Sequence, residues 1–100
     1  VRAEHIREVP RGTPYRVDWV DGCCLLVRCA AAAAVGGFDE DYFLYYEDAD
    51  LCQRVGHAGW SILVAPGAEV GHDKSAVPAA HYFHYMTRNR YRFWRKNFGI

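Results

Sequence analysis

Apolar runs and helix-compatible stretches alternate along the chain between glycine and proline breaks, and this alternation leaves few choices of fold class. Residues 18–28 (DWVDGCCLLVR) are rich in Val, Leu, Cys and Trp and predict a buried strand, bent at Gly22. Residues 29–35 are mostly alanine, a strong helix former, and Gly36 with Gly37 predicts a left-handed stop. Residues 38–46 (FDEDYFLYY) read as a loop dense in acids and aromatics. A helix is expected over 47–58, with Asp48 placed to cap its start and Leu51, Val55 and Ala58 as its inner stripe. A second strand is expected over 60–65 (WSILVA), closed by Pro66 and Gly67, then a short extended piece over 68–72 and a loop over 73–79. Residues 80–98 predict a long helix. Strand, helix, strand, helix in turn is the pattern of an α/β fold.

Residues 1–16, with Pro10, Gly12 and Pro14, read as a loop, which gives a division into a linker at 1–17 and a folded unit at 18–100. The chain opens at Val1 without a Met, and the expectation is that it is part of something longer. Hydrophobic residues make up 51% and charged residues 24%, which excludes a mainly disordered chain. The 12 basic side chains cancel the 12 acidic ones, so whole-chain electrostatics predict no nucleic-acid partner. No apolar run approaches the roughly 20 residues of a membrane-spanning helix. The four cysteines, at 23, 24, 29 and 52, do not have zinc-site spacing, and buried, reduced thiols are expected.

The charge is zero in sum but segregated. Residues 36–54 hold six acids (Asp39, Glu40, Asp41, Glu47, Asp48, Asp50) against Arg54 alone. Residues 86–100 hold five bases (Arg88, Arg90, Arg92, Arg95, Lys96) and no acid. Either the acids serve chemistry and the bases face phosphate, or the two segments attract each other across the fold. Glu47 and Asp48 stand where a loop enters a helix, a place that keeps carboxylates ionised and lets one act as a general base. The competing role for Asp48 is a plain N-cap. Asp48-Ala49-Asp50 spells D-x-D, yet positions i and i+2 of a helix do not share a face, so a joint metal grip is not expected. His72 follows an extended run, where a ring nitrogen can bind metal. His81 and His84 share a helix face, as metal ligands, acceptor-site lining or interface residues.

Together these strings resemble family 2 glycosyltransferases of the GT-A fold. WVDGCCLLVR at 19–28 is similar to that family's W-V-x-G-x-x-L-L-x-R stretch. GGFDEDYFLYYEDADLCQRVGHAGW at 36–60 resembles its acceptor-side segment, with Glu47-Asp48 as the E-D motif. EVGH at 69–72 resembles the strand that ends in a metal-binding His, and YMTRNRYRFWR at 85–95 the R-N-R helix of rhamnosyltransferase-like members. Asp21 and Cys23 depart from the usual residues, and Lys74 stands near a usual glycine.

The resemblance implies the C-terminal, acceptor-side half of a GT-A fold, few strands flanked by helices, with the nucleotide-binding half N-terminal to it. It implies transfer of a sugar from a nucleotide-diphosphate donor to a saccharide or lipid-linked saccharide, with inversion, in cell-surface polysaccharide synthesis. Asp48, with Glu47, takes the catalytic positions; Trp19, Gly22, Arg88 and Arg90 the substrate-binding ones; and His72 that of a ligand to Mg²⁺ or Mn²⁺. A cytoplasmic protein touching the membrane face is expected, since the bases at 88, 92, 95 and 96 and the aromatics at 91, 93, 94 and 98 suit a membrane-surface helix. The alternative is a non-enzymatic α/β piece whose acidic loop and basic helix form an interaction surface.

Overall fold

A computed structural model describes residues 12–73 and 78–99. The elements are β1 (Tyr15–Val17), α1 (Cys29–Val35), a single 3-10 turn (Glu40–Tyr42), α2 (Glu47–His57), β2 (Ile62–Val64) and α3 (Ala80–Phe98). Residues 1–11 of the expected leading loop, and 74–77 of the expected 73–79 loop with Lys74 among them, lie outside the described residues.

β1 and β2 pair antiparallel, with Tyr15 opposite Val64, Arg16 opposite Leu63 and Val17 opposite Ile62. Arg16 and Leu63 face outward, while the other four side chains are half-buried. β1 thus lies inside a stretch expected to be loop, and β2 is shorter than the strand expected over 60–65. Three helices and this two-stranded sheet make a small α/β arrangement.

The strand expected over 18–28 does not form. A strand is defined by its ladder partner, and among the described residues the only pairing is β1 with β2. The apolar pattern survives without the ladder: Leu25 and Val27 are half-buried against the core, and Leu26 between them is 99% exposed. A turn at Gly22 and Cys23 replaces the expected extended run there. It leaves Cys23 and Cys24 in solvent, and Cys29 is exposed too, so three of the four thiols are not the buried ones expected. Cys52 is buried on the inner side of α2, and all four cysteines are free.

α1 follows the alanine run and stops where expected. Gly36 takes a φ of 78° and donates its N–H to the Ala33 carbonyl, while Gly37 donates to Ala32. α2 buries Leu51, Cys52 and Val55; Ala58 caps its C-terminus and is exposed, outside the expected inner stripe. The core is Ala31, Leu51 and Val55, with Leu25, Val27, Val35, Trp60 and Ile62 packed against it. α3 crosses the start of α2, with Phe93 buried and its ring 5.5 Å from that of Tyr46. The expected bounds of α3 hold at both ends.

Candidate functional site

The start of α2 is where the sequence-predicted catalytic residues meet other parts of the chain. Tyr46, in left-handed conformation, is the N-cap, so Asp48 is the second helical residue and not the cap. Asp48 still satisfies one of the open N–H groups of the first turn, since its Oδ1 accepts from Ala49 N–H at 2.7 Å. Its Oδ2 accepts from the Gly22 N–H at 2.8 Å, across 26 residues of sequence. The two residues fit closely: a Cβ on Gly22 would lie 3.4 Å from Asp48 Cβ and 3.5 Å from Oδ2. Gly22, expected to bind substrate, and Asp48, expected to be catalytic, are therefore in contact. The Val20 backbone bonds Cys52 one turn further along α2, so residues 20–22 run beside the helix start. Trp19 at the head of this run is half-buried and engaged with its surroundings.

Glu47 faces different surroundings. Burial raises its pKa above the usual carboxylate value, and the neighbouring Asp48 charge adds to the rise. Its Oε2 is buried and has no hydrogen-bond partner. The residue also lines a shallow hollow of about 540 Å³ with Phe38, Asp39, Glu40 and Phe43.

The loop that delivers these two carboxylates is strained and clamped. Phe43, Tyr45 and Tyr46 all have positive φ, at 58°, 69° and 67°. For bulky side chains each such residue costs about 1 kcal/mol or more. Asn89 of α3 is fully buried and opposes this cost. Its Nδ2 donates to the carbonyls of Tyr42 at 2.6 Å, Leu44 at 2.6 Å and Tyr45 at 3.0 Å. Two hydrogens serve three acceptors, so one of the bonds is shared. Arg88 fixes the amide from behind, its Nε donating to Asn89 Oδ1 at 3.1 Å. The Arg88 guanidinium also donates to the carbonyls of Asp41 and Tyr42 and lies over the Tyr85 ring. Arg88 and Arg90, both expected to bind substrate, are both exposed, but the Arg88 guanidinium is turned to the loop.

Asp50 anchors α2 to α3. It is fully buried. Arg54 Nε lies 2.7 Å from its Oδ2, and Lys96 Nζ 3.0 Å from its Oδ1. The Tyr42 hydroxyl and the Asn97 amide donate to Oδ1 at 3.1 and 3.2 Å. Lys96 also pairs with Asp39 at 2.7 Å, and that bond holds the Asp39 carboxyl below its usual range. Arg92 lies 3.5 Å from Asp41. Of the two readings of the segregated charge, mutual attraction is what these pairs show. The D-x-D string is divided as expected, Asp48 meeting Gly22 and Asp50 sealed among cations.

The membrane-surface face of α3 is likewise partly used inside the fold. Arg92 and Lys96 meet the acids, and Phe93 is buried, with Trp94 and Phe98 packed around it. Arg90, Arg95 and Tyr91 remain exposed. His72, His81 and His84 are all exposed. Among the described residues no group of three His, Cys, Asp or Glu side chains is gathered to hold a metal, so these residues alone do not complete the metal site implied for His72. None of the described helices is long and apolar enough to cross a membrane.

Asn89 and Tyr42 were not singled out from sequence, and Asp50 was weighed only within the D-x-D string and the acidic segment. Asp50 and Arg54 carried a signal, an acid four residues before a base on one helix. Asn89 stood between two arginines whose charge drew the reading.

The sequence has named relatives. Over 69 residues it is 52% identical to an N-acetylglucosaminyl-diphospho-decaprenol L-rhamnosyltransferase of Mycobacterium tuberculosis, a match covering 65% of this chain and 22% of that protein. Over 94 residues it is 35% identical to rhamnosyltransferase WbbL of Escherichia coli K12, covering 91% of this chain and 31% of that protein. The chain therefore spans less than a third of the length of either relative. No family model and no solved structure matches it.

Proposed function

We propose that this chain, a rhamnosyltransferase-like glycosyltransferase by sequence, is the acceptor-side part of a GT-A enzyme that transfers a sugar with inversion. The observation that carries the reading is the contact of Asp48 with Gly22 at a loop–helix junction, where a carboxylate is held by two backbone N–H groups and is still half-exposed. In this reading Asp48 takes the proton from an acceptor hydroxyl. The freed oxygen forms a bond to the anomeric carbon of the donor as the bond to the diphosphate breaks, and the nucleoside diphosphate leaves with that electron pair. A single base is enough for direct displacement, which inverts the anomeric centre. In this reading His72, exposed at the end of an extended piece, would be one ligand of a divalent cation, Mg²⁺ or Mn²⁺, which would supply charge neutralisation for a diphosphate.

The donor is a nucleoside-diphosphate rhamnose, and the acceptor a lipid-linked saccharide of the kind named for the mycobacterial relative, an N-acetylglucosaminyl diphosphate on a polyprenol. In the same reading the reaction belongs to cell-surface polysaccharide synthesis, at the cytoplasmic membrane face. Arg90 and Arg95, exposed on α3, are the bases left for phosphate or an anionic leaflet. The competing view, a charged interaction surface, has against it that Arg92 and Lys96 are already directed at Asp41, Asp39 and Asp50.

The test uses the full-length protein with a nucleoside-diphosphate rhamnose and a lipid-diphosphate N-acetylglucosamine. The expected outcome is a rhamnosylated lipid whose anomeric configuration, read by NMR, is opposite to that of the donor. Retention of configuration, or no transfer with a panel of such donors, contradicts the proposal.

A further inference from the structure

We propose that Asn89 is a positioning residue for the base: its side-chain amide, oriented by Arg88, holds the 42–46 loop in the conformation that sets Asp48 against Gly22. The inference rests on the reading of Asp48 as the base and extends it to a residue on a different helix. Three observations carry it. Asn89 is fully buried and spends its amide hydrogens on the carbonyls of Tyr42, Leu44 and Tyr45, which interleave with the positive-φ residues Phe43, Tyr45 and Tyr46. Tyr46 is the N-cap of α2, so the loop's last strained residue fixes where Glu47 and Asp48 emerge. Arg88 leaves the amide no freedom to flip, because its Nε occupies Oδ1.

The three carbonyls converge on one point, and only a donor-only group placed there satisfies them. The mirror-image requirement is equally sharp: an acceptor at that point meets three carbonyl dipoles end-on. Asn89→Asp is therefore nearly isosteric, yet it replaces donation with repulsion. A displacement of about 1 Å at a reacting group is enough to cost about a hundredfold in turnover.

The experiment compares full-length wild type with Asn89→Asp and Arg88→Lys. Steady-state kinetics are read against a nucleoside-diphosphate rhamnose, and backbone hydrogen exchange is read peptide by peptide. For Asn89→Asp we expect kcat to fall by about tenfold to a hundredfold while KM for the donor stays within about twofold. Exchange should quicken over 43–50 and stay unchanged over α1 and β2. Arg88→Lys keeps the charge but loses the Nε contact, and should show the same local loosening with a smaller kcat loss. A kcat within about twofold of wild type in Asn89→Asp overturns the proposal. So does exchange that quickens over the whole chain, which makes Asn89 a general scaffold residue. If Asn89→Asp does not fold, Arg88→Lys decides, and unaltered exchange over 43–50 overturns the proposal. Asp48→Asn run alongside separates the two ideas: full turnover there removes the base, whereas the exchange data still report on the clamp.

Discussion

Glu47 and Asp48 are adjacent in sequence, yet their surroundings differ. Asp48 is held by two N–H groups, a setting that suits a carboxylate. Glu47 is partly desolvated, with one oxygen buried and unpartnered, and its folded-state pKa is raised. A raised carboxyl pKa favours the folded state below the ordinary value of 4.5, and that advantage is lost as pH rises through the folded value. At neutral pH the ionised Glu47 is therefore a cost to stability. Glu47→Gln should raise the Tm at pH 7 and give no gain near pH 4, as thermal melts at the two pH values will show. An equal Tm change at both would mean that titration of Glu47 is not involved. The E-D pair was legible from sequence, but the different surroundings of its two carboxylates were not, because the Asp48 contact depends on Gly22, 26 residues away.

At the scale of elements, α2 and α3 are joined by the Asp50 cluster. The carboxylate has no access to water and is matched by Arg54, Lys96, Tyr42 and Asn97. Removing one partner of a buried charge cluster costs about 3–5 kcal/mol, and the partial exposure of Arg54 and Lys96 puts Asp50→Ala near the low end, roughly 3 kcal/mol. Chemical denaturation of the full-length protein checks this, and a loss below about 1 kcal/mol would assign the cluster to a solvated surface. The helices were legible because their signals are local: alanines and a glycine stop for α1, a periodic apolar stripe for α2, a run of aromatics and bases for α3. The strand expected over 18–28 was not, because a ladder is a relation between segments and its partner is absent from the described pairing. The positive φ values at Phe43, Tyr45 and Tyr46 were hidden as well, since aromatic residues give no hint of left-handed backbone.

For the whole molecule, the folded core is small, and a long apolar side chain on an extended segment, Leu26, stands 99% exposed. The chain corresponds to less than a third of the length of either relative. In the proposed reaction Asp48 is the base of a sugar transfer. The most direct measurement is donor affinity by calorimetry together with turnover, for full-length wild type and Asp48→Asn. The amide keeps the shape and an oxygen for the Gly22 N–H, but it cannot take a proton. Unchanged donor affinity is expected, with turnover lower by about a hundredfold or more. Turnover equal to wild type would contradict this role and leave Asp48 as a residue that only fastens the start of α2.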